Sequence, residues 1–329
     1  WEIFDPHAAV LDIVGYNYMM HKAESDHERC PERVMWQTES YPRDAFANWK
    51  HTVERPYIIG DIVWTGLDYL GESSIGRWYY PGDKPGEHWE GVFFPWHGAY
   101  CGDIDLTGWS KPISHYRNML YNDNEKLYMA VREPNPASGK IKTTGWAVWP
   151  TWESWTWPGY EGETASVDVY ANADEAELFL NGESLGRKSI GGVYVVTYEV
   201  PYHPGKLEAV SYLNGVEAGR AVLQTAGKAV KLKVEADRNE LPVDGESLTF
   251  IKIRLEDAAG NFNRRESAAV TIKVEGCAAL QGFGSADPSC EGSYQSHTWN
   301  TYDGSVMAVI RAAKCSGKAV VTISAVNFA

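Results

Sequence analysis

The stretch Val34-Met35-Trp36-Gln37-Thr38-Glu39 is a short, mostly apolar run that ends in a carboxylate. Residues 11–18 and 57–64 form two further runs of the same kind. Apolar runs of this length predict buried strands. Residues 44–53 and 111–121 have the spacing of helices. Strands that alternate with helices and are apolar throughout predict a parallel sheet with covered faces.

Each of the three runs ends in a notable side chain: Tyr18, Glu39 and Trp64. In a (β/α)8 barrel, the carboxyl ends of the strands line the active site. Glu39 is therefore a candidate catalytic residue. The alternative is a solvated carboxylate or a salt-bridge partner, which is the commoner use of a glutamate at a strand end.

The composition and charge of the 329-residue chain disfavour several classes of protein. Its length suggests two or three domains, and 44% hydrophobic and 22% charged residues are typical of globular proteins. The formal net charge of −14 disfavours a nucleic-acid partner, and no run approaches the roughly 18 apolar residues of a membrane span. The five cysteines include no CxxC pair, which disfavours a zinc site. A disulfide among the last three cysteines is left open.

The second part of the chain predicts two all-β domains. Short alternating runs are followed by Asn181-Gly182 and Asn214-Gly215, which favour hairpin turns and so predict a β-sandwich. Similar runs near the end of the chain predict a second sandwich of the immunoglobulin-like kind. The predicted domains are residues 1–130, 131–228 and 229–329.

Aromatic residues make up 13% of the chain and crowd one short segment after residue 145. Sugar rings stack on such side chains, but Trp and Tyr are also favoured in cores and at interfaces. The spacing does not follow one face of a strand, which predicts a loop. A domain interface is favoured over a sugar-binding surface for this group, which comprises Trp146, Trp149, Trp152, Trp155, Trp157 and Tyr160.

Four motifs follow one another in the first 120 residues. They are residues 12–18, the segment that ends in Gln37-Thr38-Glu39-Ser40, residues 59–72, and residues 102–116. In this order they resemble strands six, seven and eight and the closing helix of glycoside hydrolase family 2, the β-galactosidase and β-glucuronidase family. The later regions resemble the sandwich and the additional immunoglobulin-like domain of some members. The resemblance implies the C-terminal portion of a (β/α)8 barrel followed by two sandwiches.

The resemblance also implies roles for individual residues. Glu39 would be the nucleophile of a retaining mechanism, and Tyr18 would orient it through a hydrogen bond. Trp64 would form a wall of the sugar subsite, and Asn17 would contact the substrate. Core packing at the mouth of the barrel is the alternative for Tyr18 and Trp64. No cofactor is implied, and the sequence indicates no metal site.

A retaining glycosidase needs a second carboxyl group, for which this chain has no candidate. In the family that residue follows an Asn at the end of strand four. The two Asn-Glu pairs here, Asn124-Glu125 and Asn239-Glu240, end no predicted barrel strand. The chain opens on Trp1, just before strand six, so we expect the N-terminal half of the same protein as its partner. We expect little or no hydrolysis without that half.

The sequence thus predicts the C-terminal fragment of a retaining exo-β-glycosidase, with β-galactosidase favoured, whose substrate is an oligo- or polysaccharide with a terminal β-linked sugar. The alternative is a non-catalytic carbohydrate-binding or spacer module of a larger surface protein, which would have no use for Glu39. The immunoglobulin-like appendages favour a periplasmic or extracellular location over the cytoplasm. No membrane insertion is expected.

Overall fold

The computed structural model describes residues 1–122 and 124–328, and most of its regular structure is β-strand. Within these residues no helix is long and apolar enough to cross a membrane. The α-helices of the described residues are short and lie in the first part of the chain: α1 (Asp5–Ala8), α2 (Ala23–Arg29), α3 (Ala45–Glu54) and α4 (Pro112–Tyr121).

Three parallel strands form the first sheet: β1 (Ile13–Asn17), β2 (Val34–Ser40) and β3 (Ile58–Val63). Their order is β1-β2-β3, so β2 is central, and the predicted parallel sheet is present. One face of the sheet is buried in a small core, which consists of Tyr16, Met20, Ala23, Met35 and Ile58. Side-chain alternation, with the register shift between Ile58 and Asp61 in β3, assigns Ile13, Ile59 and Ile62 to the opposite face.

The opposite face of this sheet is apolar and open. Ile13, Ile59 and Ile62 are 45%, 50% and 45% exposed. Gly15 lies on the same face as Ile13, and a Cβ atom there would come within 2.7 Å of the Thr38 methyl group. Glycine therefore leaves room for a β2 side chain to lie against β1. An exposed apolar surface of this kind marks a contact with further structure.

Residues 64–111 form a long loop region that buried polar contacts hold in place. Its strands are short: β4 (Tyr69–Leu70), β5 (Trp78–Tyr79) and β6 (Gly98–Ala99). Arg77 is buried and donates hydrogen bonds of 2.8 Å to the carbonyl oxygens of Lys84 and Gly86. Lys111 Nζ lies 2.7 Å from the buried Asp68 carboxylate. Burial raises the pKa of Asp68 to about 6, and the Lys111 charge opposes that rise.

The next region contains two antiparallel sheets around one core. Its strands are β7 (Tyr128–Arg132), β8 (Lys142–Thr143), β9 (Thr151–Trp152), β10 (Thr164–Tyr170), β11 (Glu175–Leu180), β12 (Glu183–Ser189), β13 (Val195–Pro201), β14 (Lys206–Leu213) and β15 (Val216–Gln224). The sheet orders are β13-β10-β7-β9 and β12-β11-β14-β15, while β8 pairs with β5. Both sheets contribute to a core that includes Trp155, Trp157, Val167 and Leu178.

The predicted hairpin turns in this region are present. Asn181-Gly182 connects β11 to β12, and Asn214-Gly215 connects β14 to β15. All four residues have positive φ angles, between 51° and 86°. Asparagine and glycine tolerate this conformation, which matches the twist of a two-residue hairpin.

The last region again contains two sheets around one core. Its strands are β16 (Lys231–Ala236), β17 (Leu248–Glu256), β18 (Ala269–Gly276), β19 (Ala278–Gly284), β20 (Thr298–Asn300), β21 (Ser305–Ala312) and β22 (Ala319–Ala325). The sheet orders are β16-β17-β21-β19 and β20-β18-β22. Ile253, Ile272, Phe283 and Trp299 belong to the shared core.

Arg264 connects three parts of the chain at one buried point. Its side chain is 5% exposed, and it forms a salt bridge with Asp303 of the last region. It also donates a 3.1 Å hydrogen bond to the carbonyl oxygen of Glu153, and its guanidinium lies 4.4 Å from the ring centre of Trp109. Burial raises the pKa of Asp303 to about 6, and the Arg264 charge opposes that rise. The loop region and both pairs of sheets therefore meet at the Arg264 guanidinium.

Cys277 and Cys315 form a disulfide in the last region, with their Cα atoms 5.6 Å apart. The bridge connects the turn between β18 and β19 to the segment between β21 and β22, and it spans 38 residues of chain. Cys290 is a free thiol. Of the last three cysteines, Cys277 and Cys315 therefore form the pair that the sequence left open.

We expect Arg264→Ala to lower the free energy of unfolding by about 3–5 kcal/mol, because it leaves the buried Asp303 carboxylate without its cation. Urea unfolding followed by tryptophan fluorescence measures this change. Arg187→Ala is the matched control, because Arg187 pairs with Glu177 on the surface and such pairs contribute about 1 kcal/mol or less. Equal effects of the two substitutions would contradict the buried junction.

We expect the double substitution Cys277→Ser with Cys315→Ser to destabilise the last region by roughly 2–4 kcal/mol, because the bridge limits the conformations of the unfolded chain. The midpoint of thermal unfolding, measured by calorimetry without reductant, should fall. Cys290→Ser, which removes a free thiol, serves as the control. Unchanged midpoints in the double variant would show that the bridge does not form in solution.

Candidate functional site

The parallel sheet brings four predicted site residues to one edge. Asn17 and Glu39 are paired in the register of β1 and β2. The Tyr18 amide donates a 2.8 Å hydrogen bond to the Glu39 carbonyl oxygen, and the Trp64 amide donates one of 3.0 Å to the Ser40 carbonyl oxygen. The carboxyl ends of all three strands therefore meet at the same place, as parallel pairing requires.

The Glu39 side chain is half-buried. Several basic side chains of this part of the chain pair with other carboxylates, and within the described residues no salt bridge engages Glu39. These pairs are Arg29 and Arg33 with Asp5 and Asp26, Arg55 with Glu24, Lys111 with Asp68, and Arg117 with Asp61 and Asp103.

Tyr18 has a left-handed backbone conformation, with φ of +56°. Few non-glycine residues adopt this conformation, and such residues cluster at functional sites. Its hydroxyl oxygen accepts a 2.8 Å hydrogen bond from Trp146 Nε1. Burial raises the pKa of the Tyr18 phenol, the Trp146 hydrogen bond lowers it, and the Glu39 carboxylate raises it through hydrogen bonding and charge. Tyr18 and Glu39 are therefore neighbours at the strand ends, joined by the hydrogen bond between the Tyr18 amide and the Glu39 carbonyl oxygen.

Trp64 and Asn17 occupy the two sides of this edge. Trp64 is half-buried, and its Nε1 donates a 3.1 Å hydrogen bond to the Tyr69 hydroxyl. That hydroxyl in turn donates to the exposed Glu72 carboxylate. Asn17 is exposed, and its side-chain oxygen accepts a 2.5 Å hydrogen bond from the Thr38 hydroxyl. Asn17 therefore presents its remaining polar atoms to solvent.

An aromatic cluster surrounds Tyr18, and we name it by its members: Tyr18, Tyr41, His88, Trp89 and Trp146. The Trp146 ring centre lies 5.7 Å from that of Tyr18, 5.1 Å from that of Tyr41, 5.3 Å from that of His88 and 5.7 Å from that of Trp89. The interplanar angles are 60° or more, so edges meet faces, a favourable geometry for aromatic pairs. Trp89 is 62% exposed, at the open side of the cluster.

The tryptophan-rich segment therefore has more than one role. Trp155 and Trp157 are fully buried in the core of the middle region, and Trp152 stacks on Trp109. Trp146 alone among the tryptophans of this segment contacts Tyr18 within the described residues. The sequence pattern identified the segment, but equal spacing along a loop could not show which tryptophan turns towards Glu39.

A cavity of about 420 Å³ lies away from this edge, between the loop region and the two pairs of sheets. Trp109, Phe262 and Arg264 are among its lining residues. The Arg264 guanidinium lies 4.4 Å from the ring centre of Trp109 and 4.5 Å from that of Phe262. Because the Arg264 guanidinium already lies over both rings, we assign the cavity to the junction between the regions.

The two Asn-Glu pairs lie outside the edge formed by the parallel strands. Glu125 follows α4, and its carboxylate oxygens lie 2.8 and 2.9 Å from His115 Nδ1. Glu240 is exposed between β16 and β17. Among the described residues, no group of three or more His, Cys, Asp or Glu side chains is arranged to hold a metal ion.

Two family models match the chain. Residues 232–329 match glycoside hydrolase family 2 C-terminal domain 5, and residues 162–219 match a domain of unknown function, DUF4982. The first match covers most of the last region of the structure. The second lies within the two sheets formed by residues 128–224.

Two curated proteins are similar to longer parts of the chain. A β-galactosidase, BoGH2A, of Bacteroides ovatus is 26% identical over 274 residues, which make up 82% of this chain and 27% of that protein. A putative β-glucuronidase of Formosa agariphila is 31% identical over 188 residues, which make up 56% of this chain and 15% of that protein.

A solved structure is similar to the whole chain. It is a glycosyl hydrolase family 2 member from Bacteroides cellulosilyticus, with 36% identity and a TM-score of 0.90 over 100% of this chain and 42% of that one. The chain thus spans less than half the length of each of these three relatives. Over its whole length, the chain is therefore similar to members of glycoside hydrolase family 2.

Proposed function

We propose that this chain is the C-terminal part of a retaining exo-β-glycosidase and that Glu39 is its nucleophile. One observation carries the proposal: the Glu39 carboxylate, engaged in no salt bridge with the described residues, stands beside Tyr18 where three parallel strands end. Strand ends of this kind carry catalytic groups in barrel enzymes.

The proposed reaction has two displacements at the anomeric carbon. In the first, a Glu39 oxygen attacks that carbon, and the bond to the leaving oxygen breaks while a second carboxyl group protonates this oxygen. In the second, water attacks the same carbon, gives a proton to the second carboxylate, and displaces Glu39. Two inversions give net retention. The acid/base group belongs to a part of the protein outside this chain.

The proposed roles of the other edge residues follow from their chemistry. Tyr18 donates its hydroxyl proton to the Glu39 carboxylate and so fixes the attacking oxygen. Trp64, held by its hydrogen bond to Tyr69, offers a flat apolar wall to the sugar ring. Asn17 has a solvent-facing amide that can hydrogen-bond a sugar hydroxyl.

We also propose that β1, β2 and β3 are strands six, seven and eight of a (β/α)8 barrel, within a first domain of residues 1–130. The open face with Ile13, Ile59 and Ile62 supports this assignment, because barrel strands bury both faces. Residues 131–228 and 229–329 would then be the two immunoglobulin-like sandwiches. The remaining barrel strands would cover the open face.

The proposed substrate is an oligo- or polysaccharide with a terminal β-linked sugar, with β-galactosides tested first. The Bacteroides ovatus relative is named a β-galactosidase and the Formosa relative a putative β-glucuronidase, so β-glucuronides belong in the same panel. The disulfide between Cys277 and Cys315 supports a periplasmic or extracellular location, because such bridges persist in oxidising compartments.

In the complete protein that contains this chain, we expect a 2-deoxy-2-fluoro-β-galactoside with a dinitrophenyl leaving group to label Glu39 covalently. The fluorine slows the second displacement, so the intermediate accumulates, and peptide mass spectrometry locates it. Glu39→Gln should abolish labelling. Glu72→Gln, which changes an exposed carboxylate near the same edge, should leave it intact. Labelling of a different carboxylate would refute the assignment of Glu39.

We expect the isolated 329-residue chain to show little or no hydrolysis of lactose. General acid catalysis contributes roughly 10²–10⁴-fold, and this contribution is lost when the acid lies outside the chain. Glucose release, compared with that of the complete protein at equal concentration, measures the difference. Activity of the chain comparable to that of the complete protein would show that the second carboxyl group is present within it.

A further inference from the structure

Trp146 reaches the candidate nucleophile from outside the parallel sheet. It follows β8 in the segment that leads towards β9, and it is separated from Tyr18 by 128 residues. Its indole Nε1 nevertheless lies 2.8 Å from the Tyr18 hydroxyl oxygen. This hydrogen bond limits what the Tyr18 hydroxyl can do with its own proton.

The donors and acceptors of the two side chains fix the direction of the hydrogen bond between them. An indole N–H can only donate, whereas a phenol has one proton and two acceptor lone pairs. In the Trp146–Tyr18 hydrogen bond, the Tyr18 oxygen is therefore the acceptor. Its own proton remains free, and the neighbouring Glu39, whose carbonyl oxygen accepts the Tyr18 amide, has a carboxylate that can only accept when it is ionised. Trp146 thus directs the single Tyr18 proton towards Glu39.

Hydrogen bonds fix the two residues that precede Trp146 in the chain. The preceding residue, Gly145, donates its amide to the Glu87 carboxylate at 2.9 and 3.0 Å. Thr144 is buried, and its hydroxyl donates a 2.8 Å hydrogen bond to the Arg77 carbonyl oxygen. The loop region thus anchors the chain on the amino-terminal side of Trp146. A donor that is fixed before substrate binds needs no reorganisation during reaction.

We propose that Trp146 is a positioning residue, which acts through the Tyr18 hydroxyl to orient the nucleophile Glu39. This inference rests on the proposed function and deepens it. It adds a contribution from the segment between β8 and β9 to a site that otherwise consists of strand ends. Because no hydrogen bond among the described residues joins Trp146 to Glu39 directly, its substitution should affect catalysis only when Tyr18 carries its hydroxyl.

The test is a double-substitution cycle in the complete protein, with an aryl β-glycoside whose activated leaving group needs no acid. Trp146→Phe keeps an aromatic ring and removes the N–H donor. We expect kcat to fall roughly 3- to 10-fold, the effect of one neutral hydrogen bond, with KM changed less than twofold. In a Tyr18→Phe background, the same substitution should have almost no further effect.

Trp149→Phe is the matched control. Trp149 is a half-buried tryptophan of the same segment, and its Nε1 donates a 3.3 Å hydrogen bond to the Glu133 carbonyl oxygen, away from the aromatic cluster. We expect its substitution to leave kcat unchanged. Equal losses from Trp146→Phe in the presence and absence of the Tyr18 hydroxyl would overturn the proposal. A rise in KM at constant kcat would also overturn it, because it would indicate direct contact with the sugar.

A second measurement needs no activity and uses the 329-residue chain. In an amide and indole ¹⁵N–¹H spectrum, Trp146→Phe identifies the Trp146 indole signal, and Tyr18→Phe should move that signal upfield because its acceptor is lost. An unmoved signal would refute the Trp146–Tyr18 hydrogen bond. Absence of label on Glu39 would instead refute the proposed function, so the two failures are distinguishable.

Discussion

Parallel pairing of β1, β2 and β3 is the constraint on which the candidate site depends. Each strand is followed by a helix or loop that returns the chain to the opposite end, so all three carboxyl ends meet at one edge. The hydrogen bond from the Tyr18 amide to the Glu39 carbonyl oxygen extends this pairing one residue beyond β1. At this point Tyr18 has a left-handed backbone conformation, and its hydroxyl accepts the hydrogen bond from Trp146.

The distribution of charge around this edge complements the geometry. Arg29 and Arg33 share Asp5 and Asp26 beneath the sheet, and Lys111 is buried with Asp68 in the loop region. These pairs neutralise one another, so the positive charges that stabilise the fold do not bind the candidate nucleophile. A cation paired with Glu39 would hold the carboxylate in place but would also weaken it as a nucleophile. Orientation through a neutral phenol avoids that conflict.

Apolar runs and turn residues made much of the fold predictable from sequence. The runs that end at Tyr18, Glu39 and Trp64 form the three parallel strands, and both Asn-Gly turns are present with the expected positive φ angles. The family resemblance is confirmed by the matches to glycoside hydrolase family 2. The roles of Glu39, Tyr18, Trp64 and Asn17, and the domain boundaries, stay predictions.

Contacts between distant parts of the chain could not be predicted in the same way. The disulfide, the Arg264 junction and the Trp146–Tyr18 hydrogen bond join residues separated by 38 to 155 positions, and none lies on a periodic pattern. Local spacing reports which face of a strand or helix is buried, but it contains no information on which loop approaches that face. Trp146 illustrates this limit, since its neighbours in sequence are similar tryptophans with entirely different surroundings.

The contact between Trp146 and Tyr18 also bears on how the regions of the chain cooperate. Trp146 lies in a segment that β8 ties to the loop region through β5, while Trp152, six residues later, pairs with β7 and packs in the core of the middle region. A movement of the middle sheets relative to the parallel sheet would therefore pull on the donor that orients Tyr18. The buried Arg264 junction opposes such movement, because separating the regions would expose a paired charge and its aromatic neighbours. The regions that follow the parallel sheet thus support the hydrogen bond between Trp146 and Tyr18.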